Sequence, residues 1–308
     1  MIAGFEALHQ DHQNRKRGVY ILDELIRKRV HIQHVTGTMD RLKNSNTFSL
    51  VLKEVQFTPR PKSARCKDIL SNLEETSKTK QVLKALNTFH TNPAHDPHDP
   101  ENRPYCVWDL PLTVDGDLAK LISIPEPYQA GYVYQRYIDG NLAITLTATP
   151  PGTISEPHID QTGSGSHLIE LLDRKLFIIW PPTPKNLSWL SNKYGLYSGN
   201  IFEAALEALE RPHCIYLEQG ASYILRPGHI HGVLTATTAA IGGVAVVHRD
   251  LRSDADTGIE WETKLIERRR AGLAEERKTV KGLERGLEED RMLWAQLDEI
   301  EGNSIMDE

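Results

Sequence analysis

Apolar and polar positions alternate through the middle of this chain with the two-residue period of β-strands, and near both ends they recur with the longer period of helices. Leu142-Ala-Ile-Thr-Leu-Thr-Ala-Thr149 alternates, whereas Leu176-Phe-Ile-Ile-Trp180 and Ala239-Ala-Ile-Gly-Gly-Val-Ala-Val-Val247 are unbroken apolar runs that read as buried strands. Ala221-Ser-Tyr-Ile-Leu225 and His231-Gly-Val-Leu-Thr235 add two shorter patterns around a Pro227-Gly228 turn. Pro181-Pro182 ends the run at Trp180, because proline cannot donate to a ladder. With Gly, Pro, Asn and Asp turns between them, these patterns predict a mainly β fold, a jelly-roll barrel, from Tyr105 to His248. Ile201-Phe-Glu-Ala-Ala-Leu-Glu-Ala-Leu-Glu210 interrupts it as a short helix.

The first hundred residues read as mostly helical. Val19, Leu22, Leu25 and Ile26 mark the apolar side of one helix over residues 16 to 30, and a second is expected from an N-cap at Asp68 through Leu70, Leu73, Val82, Leu83 and Leu86. Between them, residues Thr47 to Phe57 read as a strand. Four prolines within residues 92–104 exclude regular structure and mark a boundary, and His95 and His98 there belong to a polar loop. The expected organisation is a flanking helical region at 1–103, the barrel at 104–250 and a helical tail at 251–308. In that tail Ile259, Ile266, Leu273, Val280, Leu287 and Trp294 recur every seven residues, while the positions three further on are apolar only at Leu283 and Leu297. One apolar row is too few for a two-stranded coiled coil. The tail is therefore expected as a long amphipathic helix, bent near Gly272, Gly282 or Gly286, that either packs on the barrel or pairs with a second subunit as a homodimer.

Composition narrows the class more than the chemistry. With 39% hydrophobic and 25% charged residues, no apolar run long enough to span a bilayer and no secretory pattern at the start, an intracellular globular protein, cytoplasmic or nuclear, is expected. Three scattered cysteines, Cys66, Cys106 and Cys214, argue for a reducing compartment and against a disulfide framework or a zinc ribbon. The net charge of −6 divides into +5 over residues 1–103 (17 basic, 12 acidic), −5 over 104–250 (9 and 14) and −6 over 251–308 (10 and 16). An acidic core suits a basic peptide better than a nucleic acid, and Arg15-Lys-Arg17 and Arg27-Lys-Arg29 read as the solvated side of the first helix.

The candidate chemistry lies in Ser155-Glu-Pro-His158-Ile-Asp160 and two later segments. His158 and Asp160, two apart, share one face if they sit on a strand. The dyad alone is not specific, since His9-Gln-Asp11 and His248-Arg-Asp250 repeat it. Arg226-Pro-Gly-His-Ile-His231-Gly-Val supplies a further imidazole, with His229 and His231 on a common face. Two imidazoles and one carboxylate on one side of a metal leave the opposite positions open, as non-haem Fe(II) sites require, where a structural zinc site would close its fourth position. Lys175, heading the run to Trp180, needs an anion if it is buried; otherwise it snorkels to solvent.

In content and order these segments resemble JmjC-domain oxygenases, the cupin-like class that depends on Fe(II) and 2-oxoglutarate. The matching residues are Ser155, His158-Ile-Asp160, Asp173-Arg-Lys175 with Trp180-Pro-Pro182, and Pro227-Gly-His-Ile-His231-Gly-Val233, within residues 104 to 249. The resemblance implies a double-stranded β-helix with Fe(II) on His158, Asp160 and His231. It implies also that Lys175 holds the far carboxylate of 2-oxoglutarate, with hydroxyls from Ser155 and Tyr105, and that O2 is the oxidant. Where the family often has glycine before its Arg-Lys pair this chain has Asp173, and His229-Ile230 replaces the usual aromatic pair before the distal histidine. The implied activity is hydroxylation, or demethylation of a methyl on nitrogen, in a protein, peptide or small-molecule substrate. Two other readings stand beside it: a JmjC-like scaffold without turnover, and a metal-dependent cupin isomerase or hydrolase without 2-oxoglutarate. The last leaves Lys175 and Ser155 without a task.

Overall fold

In the computed structural model, two mostly antiparallel β-sheets lie face to face with helices against their outer surfaces. The structure describes residues 13–44, 46–57, 65–68, 74–75, 79–92, 95, 104–113, 115–122, 131–137, 140–193, 201–270 and 274–306. With strands numbered in chain order, the first sheet runs β1 (Ile32–Val35), β10 (His213–Glu218), β9 (Arg174–Trp180), β12 (Ile230–Thr235) and β7 (Ile154–His158). The second runs β11 (Ser222–Leu225), β8 (Gly165–Leu172), β13 (Ala239–Val247), β6 (Thr145–Thr149), β4 (Tyr105–Pro111), β2 (Arg65–Asp68) and β3 (Glu74–Glu75), with β5 (Val133–Tyr134) paired to β13. The sheets do not join into a closed barrel, and with the helices they make a mixed α/β fold where a mainly β one was expected.

The unbroken apolar run of β9 follows from burial on both faces. Leu176, Ile178 and Trp180 point outward to Ile21 and Leu25 of α1 (Gln13–Arg27) and Phe202 and Leu206 of α6 (Ile201–Ala208), with α5 (Pro184–Lys193) completing the layer. Phe177 and Ile179 point inward, where they meet Ile215, Leu217 and Val233 of the same sheet and Leu168 and Ile241 of the other. Each such fully buried side chain contributes roughly 1.5–3 kcal/mol. The second sheet buries its outer face, Val107, Leu146, Ile169, Leu171 and Val246, under α3 (Thr47–Phe57) and α4 (Thr79–Thr91), with Leu42 of α2 (Asp40–Asn44) at the edge.

Three expectations for the N-terminal region are corrected. Residues Thr47 to Phe57 are a helix, not a strand: Thr47, Val51, Glu54 and Val55 are buried along one helical face, a spacing that a short apolar run hides. Asp68 ends strand β2; Leu70 and Leu73 lie outside the described residues, and the helix carrying Val82 and Leu86 begins at Thr79. The region is also not merely flanking, because β1 pairs in parallel with β10 and β2 pairs with β4. His98 lies outside the described residues, and His95 stands edge-on to Phe89 with ring centroids 5.6 Å apart.

The tail is two helices, α7 (Arg252–Arg270) and α8 (Ala274–Met306), which pack on each other. Ile266, Val280 and Leu287 of the seven-residue row form the contact between them, with Ile259 alongside, while Leu293, Trp294 and Leu297 cover Val133, Ala245 and Val247 of the second sheet. The row is used within the chain. Gly272 lies outside the described residues, between the end of α7 and the start of α8; Gly282 and Gly286 sit within α8 with open space beside them. Among the described residues, no helix is long and apolar enough to cross a membrane.

Candidate metal centre

Ser155 and His158 stand three apart, which in a regular strand would send them to opposite faces. A bulge corrects this: Ser155 pairs with Val233 and His158 with His231, so that Glu156 and Pro157 together oppose Gly232. Both then face the space between the sheets, as Val233 does. Gly232 points the other way, where a Cβ would lie 2.4 Å from the Phe202 ring. Glycine alone lets α6 press on the strand at this point.

His158 Nε2 lies 3.1 Å from Asp160 Oδ1, His231 Nε2 lies 3.6 Å from Asp160 Oδ2, and the two imidazole centroids are 4.3 Å apart. One donor atom from each lies within 4.8 Å of the others, so the three residues could hold a metal ion. His158 Nδ1 is 2.7 Å from the Glu156 carbonyl, which can only accept, so Nδ1 keeps its proton and Nε2 is the atom that donates to Asp160 when the ring is charged or offers a lone pair to a metal when it is neutral. His231 is 3% exposed at its side chain, whereas His158 and Asp160 are 42% and 38% exposed, so the centre opens on the side of the dyad.

Burial pushes the His231 pKa down to about 4, so the ring is neutral at physiological pH and ready as a ligand. For Asp160, burial opposes ionisation, but the two imidazoles outweigh it and hold the carboxyl below its ordinary range. Burial also opposes charge on His158, yet the hydrogen bond and charge of Asp160 prevail and raise its pKa. His229 is not one of the three, and its Nδ1 lies 3.2 Å from the Pro227 carbonyl. Of the other dyads, His248 and Asp250 approach to 3.6 Å with His248 stacked on Tyr132, and His9-Gln-Asp11 lies outside the described residues.

Lys175 is buried at 3% exposure on the inward face of β9, in register with Thr235 of β12. Among the described residues, no hydrogen bond or ion pair reaches its ammonium. Thr235 meets Thr149 hydroxyl to hydroxyl at 3.3 Å, and Thr145 and Thr147 share the inward face of β6 with Thr149, since Leu146 and Ala148 belong to the outer core. Tyr105 packs with Val107 in the outer core under α4, and strand alternation turns Cys106 inward to Lys175. Asp173, where glycine was noted as usual, turns the chain from β8 to β9 with φ +57°, a left-handed conformation that Asp tolerates better than most residues. Its carboxylate accepts from Arg174 Nε at 2.8 Å.

Compared with protein-family models the chain matches none, and no curated protein matches it.

Sequence reasoning missed what holds Asp160. The loop from Asp160 to β8 is gripped by the tail helices: Thr162 donates to Glu262, Gly163 N donates to Asp290 at 2.8 Å, and Trp294 Nε1 donates to the Gly163 carbonyl at 2.6 Å. Gly258 of α7 touches the same loop; a Cβ there would lie 2.0 Å from the Thr162 carbonyl oxygen. Burial raises the Glu262 pKa from 4.5 to about 7 and that of Asp290 to about 6.

This grip carries a pH dependence. Between its unfolded and folded values, a buried acid with a raised pKa binds more protons in the folded state, so stability falls as pH rises through that window and stays reduced above it. For Glu262 the window runs from 4.5 to about 7. Glu262→Gln keeps an acceptor for Thr162 without the charge, and it is expected to exceed the parent stability by about 3 kcal/mol at pH 8 and by under about 1 kcal/mol at pH 5. Urea midpoints at the two pH values measure this. An equal gap at both would refute the linkage.

Proposed function

We propose that this chain is a non-haem Fe(II)- and 2-oxoglutarate-dependent dioxygenase of the JmjC type. The observation that carries the reading is the pairing of an open two-histidine, one-carboxylate centre with a buried, unpartnered lysine between the same two sheets. The donor set suits a metal that keeps positions open. The ammonium suits the far carboxylate of a dicarboxylate, since a buried cation without an anion is very costly. The strand orders β7-β12-β9-β10 and β6-β13-β8-β11 support a jelly-roll, each sheet interleaving strands far apart in sequence as two Greek keys do.

On this reading His158, Asp160 and His231 hold the iron, and Lys175 with Ser155 orients the co-substrate. Bound there, iron and 2-oxoglutarate supply an oxidation by O2 that releases succinate and CO2 and oxidises a substrate C–H bond. The protein's share is orientation and exclusion of water. His158 keeps its Nδ1 proton on the Glu156 carbonyl, which fixes the ring. Arg17 of α1 and the Phe202 amide of α6 bind the Glu156 side chain at 2.8 Å each, bracing the strand behind it. The exposed side of the dyad is the approach for a protein, peptide or small-molecule substrate.

The test is an anaerobic Fe(II) titration with and without 2-oxoglutarate, followed by admission of O2. A weak visible charge-transfer band that needs both components, and succinate formed after O2, are the expected results. Iron binding that 2-oxoglutarate leaves unaltered would overturn the proposal in favour of a metal-dependent isomerase or hydrolase, a reading that leaves the buried Lys175 unexplained.

A further inference from the structure

A second polar group is sealed between the sheets beside Lys175. Glu170 lies in the middle of β8; its neighbours Ile169 and Leu171 belong to the outer core and Leu168 to the inner one, so its side chain points inward. It is fully excluded from solvent, and neither carboxyl oxygen has a hydrogen-bond partner. Lys175 follows across the Asp173 turn in the opposite sheet, also pointing inward and also without a partner among the described residues. Each acts electrostatically on the other, yet they form no ion pair.

Native proteins rarely leave two such groups unsatisfied, because a buried polar atom without a partner forfeits its hydration for nothing. One ligand satisfies both. A carboxylate placed between them accepts from the ammonium at one oxygen and from a protonated Glu170 at the other, and both bonds are of the strong, charge-assisted kind. The remaining titratable groups on the packed elements are Asp173 in the turn, Cys106 on β4 and Tyr223 on β11, while β13 presents Ile241 and Gly243. Asp173 acts in the same direction as burial, favouring the protonated form of Glu170.

We infer that Glu170 is the second jaw of the anion site, donating its carboxyl hydrogen to the far carboxylate of the dicarboxylate co-substrate, so that each dianion enters with one proton. This rests on the reading of the chain as 2-oxoglutarate-dependent. No bond is broken or made beyond the proton, which comes from solvent and resides on Glu170. The site then discriminates by protonation: at high pH an ionised Glu170 pairs with Lys175 and repels the incoming carboxylate. At low pH it welcomes it.

The experiment is calorimetric titration of the full-length Zn(II)-loaded protein with 2-oxoglutarate at pH 6.5 and 8.5, in buffers of differing ionisation enthalpy, for the parent, Glu170→Gln and Lys175→Ala. Zinc removes turnover from the readout. Expected for the parent are tighter binding at pH 6.5 than at pH 8.5, within the linkage limit of about tenfold per pH unit per proton, and net proton uptake on binding at pH 8.5. Glu170→Gln, whose amide donates at any pH, should bind equally at both values with no proton uptake. Parent affinity that ignores pH, or heats that ignore the buffer, would overturn the inference while leaving the functional reading intact; the parent heats decide this even if the Gln variant fails to fold. Parent protein that binds no 2-oxoglutarate at either pH, matching Lys175→Ala, would overturn the functional reading and this inference together.

Discussion

His231→Ala is expected to lower the affinity for a divalent metal by more than about 100-fold, beyond the loss typical of removing an outer-shell partner. His158 and Asp160 would remain, two donors on an exposed edge with the buried third corner gone. Because His231 is neutral at physiological pH, no proton competes for it, and the loss should be as large at pH 8 as at pH 7. His229→Ala is the control, since His229 is not one of the three grouped residues and its Nδ1 is engaged by the Pro227 carbonyl. Its metal affinity should stay within about threefold of the parent, less than an outer-shell effect. Metal titrations of both variants decide the assignment: a larger loss for His229→Ala than for His231→Ala would sink it.

Trp294→Ala is expected to destabilise the protein by about 3–5 kcal/mol, the usual cost of deleting a buried large aromatic. The side chain is 4% exposed, packs with Leu251, Ala255 and Val247, and donates to the Gly163 carbonyl. Removing it opens a cavity between α8 and the second sheet and also frees one end of the loop that begins at Asp160. Metal affinity should therefore fall along with the urea midpoint, although Trp294 is no ligand. Trp294→Phe separates the two effects: it keeps most of the packing and leaves the Gly163 carbonyl unpaired, a cost of about 1–3 kcal/mol. Unchanged stability and metal affinity in both variants would show that the tail merely rests on the sheet. Truncation at Asp256 is the blunt form of the same test, with aggregation expected as Ala245, Val247 and Leu251 are uncovered.

The sequence by itself determined the strands whose burial is written in their composition. The runs ending at Trp180 and Val247 are β9 and β13 because continuous apolar residues suit strands covered on both faces. It also held the three residues, His158, Asp160 and His231, that the fold brings close enough to hold a metal ion. Short segments were less legible. Thr47 to Phe57 holds too few apolar positions to separate a period of two from one of 3.6, and the layer it packs against, which decides the matter, comes from β4, β6 and β8 far along the chain.

Tertiary structure alone decided the rest. Tyr105 and Cys106 are neighbours in sequence, and which of them faces Lys175 depends on how β4 is set in its sheet. Ser155 reaches the same side as His158 only through a bulge opposite Gly232, a register that no local pattern specifies. The seven-residue apolar row was plain in the tail, but what it would meet was decided by the packing of α8 against α7 and by the fit of Trp294 against Gly163. In sequence Glu170 is one more acid among apolar residues; its meaning comes from lying opposite Lys175, fully buried, with neither carboxyl oxygen hydrogen-bonded. Such a pairing joins two sheets, and the physics of burial acts on three-dimensional neighbours.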